Sequence, residues 1–289
     1  MSARDVELIH ESEPTIEGAG VHLRRAFGFG NEEALDPFLM MDDFRGENPD
    51  MYRAGFPWHP HRGIETITYM LEGECDHADS MGNKGTICAG DVQWMTAGSG
   101  IIHQEMPRGT EAGRMGGFQL WANLPSAQKM RDPRYQGIGA AEIPVAESRG
   151  AVVRVIAGTV EGITGPVTDI TVEPEYLDVS LSPDVSWTHP TVPGHTVFAY
   201  LFEGDGRFGR AGEPVGAGYG TLVLFGDGDT VEVTAGDHGA RFVLLSGKPL
   251  REPIAWRGPI VMNTREELSQ AWRELDDGTF VKHEPRDAP

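Results

Sequence analysis

Cysteine is almost missing from this chain: 289 residues hold two, Cys75 and Cys88, too few for a disulfide-framed secreted module. They flank the turn-like SMGNKG and are expected to be reduced, partly buried thiols. Basic residues are scarce as well, 24 Lys and Arg against 44 Asp and Glu, giving a formal charge of −20. That balance excludes a surface built to hold phosphate backbones, so no direct nucleic-acid partner is expected. No apolar run approaches the length that spans a bilayer, and no membrane partner is expected. The opening MSARDVELIHESEP lacks the apolar core of an export signal, which points to a cytoplasmic location. Helical periodicity is rare too. One stretch, NTREELSQAWRELDDG, carries it, with Thr264 and Glu267 spaced as a capping box. Leu268, Ala271, Trp272 and Leu275 fall on one face, expected to pack against the second half of the chain.

What the chain has in quantity is glycine and short strand-like runs. Its 38 Gly and 20 Pro are spread between segments such as ETITYML, DVQWMTA, GGFQLWANL, AVVRVIAGTV, TVFAYLFEG and ARFVLLSG. This is the pattern of all-β sandwiches and barrels. The segment YMLEGE at 69–74 returns as YLFEGD at 200–205, a shift of 131 residues that implies two similar domains in tandem. The polar stretch SAQKMRDPRYQGIG reads as their junction, which predicts domains over residues 1–135 and 136–289.

The chemistry concentrates in the first half. In FPWHPHRGIETITYMLEGE, His59 and His61 stand at i and i+2, so on a strand they share a face. Downstream, GSGIIHQEMP gives His103 and Glu105 the same spacing. If the two strands are neighbours, three imidazoles and one carboxylate converge, a donor set suited to a divalent transition metal. The 131-residue shift places Pro190, Val192 and Thr196 opposite His59, His61 and Glu65. His189 and His195 fall at the other parity, so the second half is expected to hold no metal.

HPHRGIE, LEGE, GDVQWMTAG and HQEMP together closely resemble the pirin branch of the cupin superfamily. The likeness extends from DPFLMMDDF to GPIVMNTREE, across nearly the whole chain. It implies two jelly-roll barrels facing one another, with a single metal in the N-terminal barrel held by His59, His61, His103 and Glu105. The resemblance implies iron, most simply Fe(II), with Cu, Ni, Co, Mn or Zn as other occupants. It gives Glu65, where many cupins place their carboxylate ligand, a supporting role.

Pirins in turn resemble bicupin quercetin 2,3-dioxygenases. The expected activity is therefore oxidation of a flavonol or similar enol by O2, with Glu105 taking the enol proton. Phe56, Trp58 and Met95 are expected to enclose the aromatic substrate, and the chain is expected to act as a monomer. The same resemblance allows a second role: a redox-responsive iron protein acting through a transcription factor or a metabolic enzyme. Other features read as incidental. EGDGRFGRAGEPVGAGYG precedes no helix, so it is a loop and not a dinucleotide cradle. Ser99 lacks the setting of a hydrolase nucleophile. His10, His22, His77, His238 and His283 have no spaced partners, and Arg24 and Arg25 read as surface charge.

Overall fold

The computed structural model describes residues 2–283. It is all-β, with the C-terminal helix Arg265–Asp276 as its one long helix among the described residues. Two compact units emerge, and they do not follow the linear split expected from the sequence. Among the described residues, one gathers 14–33, 38–140 and 250–283, and the other gathers 2–13, 34–37 and 141–249. Residues 284–289, the end of the expected second domain, lie outside the described residues.

The first unit is built on two large antiparallel sheets, with a two-stranded ribbon of Ala255–Arg257 and Ile260–Met262 beside them. The larger runs Arg134–Ile138, Val92–Thr96, Ile64–Glu72, Gly116–Asn123, Phe38–Asp43, Val21–Phe27 and Glu13–Glu17 from edge to edge. The smaller runs Phe56–His61, Ile101–Arg108, Glu74–Asp79 and Lys84–Cys88. Strand alternation separates the two cysteines: Cys75 sits opposite Ile87, while Glu74 sits opposite Cys88. Cys75 is therefore buried and Cys88 is exposed, not partly buried, and both are free thiols.

The stretch expected to be the interdomain junction is instead part of this barrel. Arg134–Ile138 pairs along Val92–Thr96, and Lys129 is 1% exposed. Its ammonium donates to the Asn123 side chain at 2.6 Å and to the carbonyls of Gly63 and Val261 at 2.9 and 3.1 Å. Composition marked the segment polar, but its lysine side chain is consumed inside the fold.

The C-terminal helix also belongs to this unit and not to the second half. Thr264 and Glu267 close the capping box reciprocally, each satisfying an otherwise unpaired backbone donor. The apolar face carrying Ala271, Leu268, Trp272 and Leu275 packs with Ile260, Met262, Ile102 and Phe280. Beneath it the buried Arg62 pairs with Glu274 at 2.8 Å and lies over the Phe280 ring at 4.2 Å.

The second unit is a bent nine-stranded sheet around a continuous apolar core, with a small ribbon of Thr159–Val160 and Ile163–Thr164. Its long strands Thr196–Phe208 and Thr230–Gly247 pair with one another through two register shifts, between Leu201 and Glu203 and between Gly204 and Gly206, irregularities that bend a sheet. The N-terminal strand Val6–Glu11 pairs with Thr221–Phe225. It covers a strand edge that would otherwise expose unpaired backbone groups.

Candidate metal centre

His59 and His103 are direct cross-strand partners, and Ile101 sits opposite His61. Antiparallel pairing of Phe56–His61 with Ile101–Arg108 thus brings both motifs together. The donor atoms of His59, His61 and His103 lie within 4.8 Å of one another. Ring centroids are 4.9 Å apart for His59 and His61, 4.3 Å for His59 and His103, and 4.9 Å for His61 and His103. Among the described residues this is the one cluster of three or more such side chains with that spacing.

The tautomers follow from the partners. His59 Nδ1 is 2.9 Å from the Pro57 carbonyl, and His61 Nδ1 is 3.2 Å from that of Pro259. A carbonyl only accepts, so each Nδ1 carries the proton and each Nε2 presents a lone pair. Those two Nε2 atoms face each other at 3.1 Å. With both lone pairs turned inward they repel, unless a cation sits between them. His103 is fully buried, and neither of its ring nitrogens has a hydrogen-bond partner. Burial, followed by neighbouring imidazoles, pushes His61 and His103 well below the usual histidine range. Neutral, buried, lone-pair-donating imidazoles fit a transition-metal ion.

Glu105 is buried on the same strand, but the pairing register shifts between His103 and Glu105, which lies opposite Phe56. Its carboxylate accepts from Thr68 Oγ1 at 3.1 Å and from Gln119 Nε2 at 3.2 and 3.3 Å. It is not among the three mutually close donors. Glu65 is tied elsewhere, accepting from Thr96 Oγ1 at 2.6 Å and Trp94 Nε1 at 3.0 Å.

A cavity of about 660 Å³ opens onto His59, His61 and Glu105. Its walls include Leu23, Met40, Phe44, Phe56, Trp121 and Trp256. Of the three side chains expected to enclose a ligand, only Phe56 lines it. Trp58 is 54% exposed, and Met95 is packed away among Leu39, Ile64 and Val261. Trp121, whose ring is 5.0 Å from that of His61, takes the place expected for them.

Two residues read as incidental are built into the site. His77 is buried, with its ring 5.5 Å from His103 and stacked on Tyr135 at 5.3 Å. Burial lowers its pKa, with Glu105 and Asp79 opposing, and neither of its nitrogens has a partner. Arg25 is no surface charge: it lines the cavity, bound to Asp42 through two 2.8 Å hydrogen bonds. Strand alternation was the available signal for both. His77 occupies the inward parity of ECDHAD with Cys75, but its neighbours became visible only on folding. His283, by contrast, reaches Ser99 Oγ at 2.9 Å, tying down the C-terminal segment.

A pirin family model matches residues 20–122, and a pirin C-terminal cupin domain model matches residues 176–281. The chain belongs to the pirin family. Among pirin relatives, it is 44% identical to a pirin-like protein of Caulobacter vibrioides, with 97% of this chain and all of that one (100%) aligned. It is 43% identical to the pirin of Homo sapiens, over 93% and 91% of the two chains. The crystal structure of a quercetin 2,3-dioxygenase from Acinetobacter baumannii superposes with a TM-score of 0.88 at 32% identity, covering 96% and 98%. Both halves of this molecule are therefore cupin barrels.

Proposed function

We propose that the protein is a metal-dependent dioxygenase acting on a flavonol or a similar planar enol, with quercetin 2,3-dioxygenase-type chemistry. The observation that carries this reading is the opening of the three-histidine cluster onto a large, mainly apolar cavity. A site that only signalled its redox state through a protein partner would need no such volume, so the cavity favours catalysis over the regulatory role. The likeness to a quercetin 2,3-dioxygenase structure supports the same choice.

His59, His61 and His103 hold the metal in this reading, with Glu105 as the fourth ligand. Iron bound there supplies an electrophilic, redox-active ion for a reaction between an enolate and O2. The protein's own side chains do the rest. Trp121, Phe56 and Met40 offer flat apolar surface to an aromatic body and exclude water. Glu105, positioned by Thr68 and Gln119, receives the enol proton. Purified protein should retain one transition metal per chain, and its iron form should consume O2 with quercetin. Zinc has no accessible redox change, so the zinc form should bind quercetin without turnover. Equal turnover by the zinc and iron forms would remove the redox step from the mechanism.

A further inference from the structure

One polar row crosses the larger sheet of the N-terminal barrel. Arg25 is the register partner of Asp42, Asp42 of Gln119, and Gln119 of Thr68. Each stands on a different strand, and all four line the cavity. At the Thr68 and Gln119 end the row holds Glu105. Toward the other end Asp42 lies one strand spacing from Gln119, about 5 Å away, and Arg25 two, about 10 Å away. The row's two ends thus differ in role: one serves the reacting group and the other lies beyond it along the cavity wall.

The far end has a definite chemical character. Arg25 turns three of its five N–H donors to two acids, binding Asp42 through Nε and Nη2 and Glu17 through Nη1 at 2.9 Å. Two carboxylates share one guanidinium, so the trio is net negative. Each Asp42 oxygen accepts from Arg25, and a carboxylate offers about four lone-pair sites in all. A net negative trio with spare carboxylate lone pairs favours a hydrogen-bond donor arriving from the cavity over an anion.

We propose that Asp42, held by Arg25 and Glu17, is a specificity-determining residue that reads a neutral hydroxyl donor on the ring of the substrate farthest from the metal. The proposal rests on the dioxygenase reading above and narrows its substrate class. It predicts a multi-ring ligand with a distal phenol, not a small enol and not an aromatic acid. A distal carboxylate would meet like charge from the two acids of the trio. A distal hydroxyl donates to a charged, largely desolvated acceptor, an interaction that amounts to roughly ten- to hundredfold in affinity.

The test uses the metal-loaded protein without oxygen, so that binding is read apart from turnover. Three matched 3-hydroxyflavones carry a 4′-hydroxyl, a 4′-carboxylate or neither, and their affinities are taken from quenching of tryptophan fluorescence. Wild type should bind the hydroxyl form about tenfold more tightly than the unsubstituted one, and the carboxylate form about tenfold less tightly. Asp42→Asn, which makes the trio neutral, should bring the hydroxyl advantage within about twofold and relieve most of the carboxylate penalty. Glu17 has a side chain 42% exposed, so Glu17→Gln keeps the test readable if Asp42→Asn folds poorly. It should relieve the carboxylate penalty and leave the hydroxyl preference in place. Equal affinity of wild type for all three flavones, or an unchanged preference order in both variants, overturns the specificity role alone. Failure of wild type to bind any of them overturns the flavonol reading, and this proposal with it.

Discussion

The two barrels of this chain share a fold and differ in what fills them. In the C-terminal barrel, the inward positions carry Val153, Val155, Leu177, Val179, Phe208, Phe242 and Leu244, all 2% exposed or less and joined in one core. In the N-terminal barrel separate apolar clusters, among them those of Met70, of Met95 and of Ile260, leave room for three histidines, a polar row and a cavity. Histidine itself behaves differently in each. His189 of the C-terminal barrel is buried, bonded to Glu175 at 2.9 Å and stacked on Trp187 at 5.1 Å. His103 is buried with both nitrogens unpartnered. A satisfied buried histidine holds structure together, whereas an unsatisfied one marks a place reserved for a ligand. A barrel thus becomes a site where side chains leave volume open and polar atoms unpaired.

The largest expected effect tests that contrast directly. His103→Ala should lower metal affinity by more than about a hundredfold, exceeding the range of supporting residues, and should abolish flavonol-dependent oxygen uptake. His189→Ala should leave metal content unchanged. Metal analysis of the purified proteins checks both, and two tightly held equivalents in wild type would break the comparison.

Core truncation comes next. Phe242→Ala should destabilise the protein by about 3–5 kcal/mol in chemical denaturation, with metal content intact. Phe44 borders the cavity, so it has fewer packing partners to lose. Phe44→Ala should cost less stability and alter ligand affinity instead.

The carboxylates sharpen the picture of the site. Glu105→Ala should reduce metal affinity about 10–100-fold and suppress oxygen uptake. Glu65→Gln should keep the metal. Its amide can keep the oxygen on Trp94 Nε1 and donate its NH2 to Thr96 Oγ1, so the stability cost should stay at about 1 kcal/mol. Chelator competition on both variants decides the assignment: a full site in Glu105→Ala with an empty one in Glu65→Gln would reverse the roles.

The smallest effect concerns the C-terminal helix, which packs in the unit that carries the three-histidine cluster. Burial raises the pKa of Glu274, but hydrogen bonds from Lys282, Gln270 and Arg62 outweigh it and hold the carboxyl at about 2. A depressed carboxyl stabilises the fold above its ordinary value of 4.5 and loses that contribution as pH falls toward 2. Helix docking should therefore loosen across that window, read as faster hydrogen exchange in residues 265–276. Glu274→Gln should remove the pH dependence, and an unchanged acid profile in that variant would show that another group governs docking.

The sequence by itself determined the local features of this protein. Strand-length runs between glycines gave an all-β chain, the 131-residue echo gave two similar halves, and Thr264 with Glu267 gave the helix start. Parity put His59 and His61 on one side of a strand, because successive side chains alternate whatever surrounds them. Only tertiary structure decided what those faces meet. Arg25 read as a surface charge until Asp42 came beside it, and the stretch holding Lys129 read as a polar junction until Asn123 took the lysine. His77 had no spaced partner, since its neighbours His103 and Tyr135 arrive on other strands. The first strand and the last helix each joined the opposite half from the one their position suggested, because strand edges and apolar faces are covered by whichever segment reaches them. Periodicity is set by bonds between adjacent residues and can be read along the chain. Adjacency between distant strands is set by the burial and hydrogen bonding of the whole fold, and no local pattern contains it.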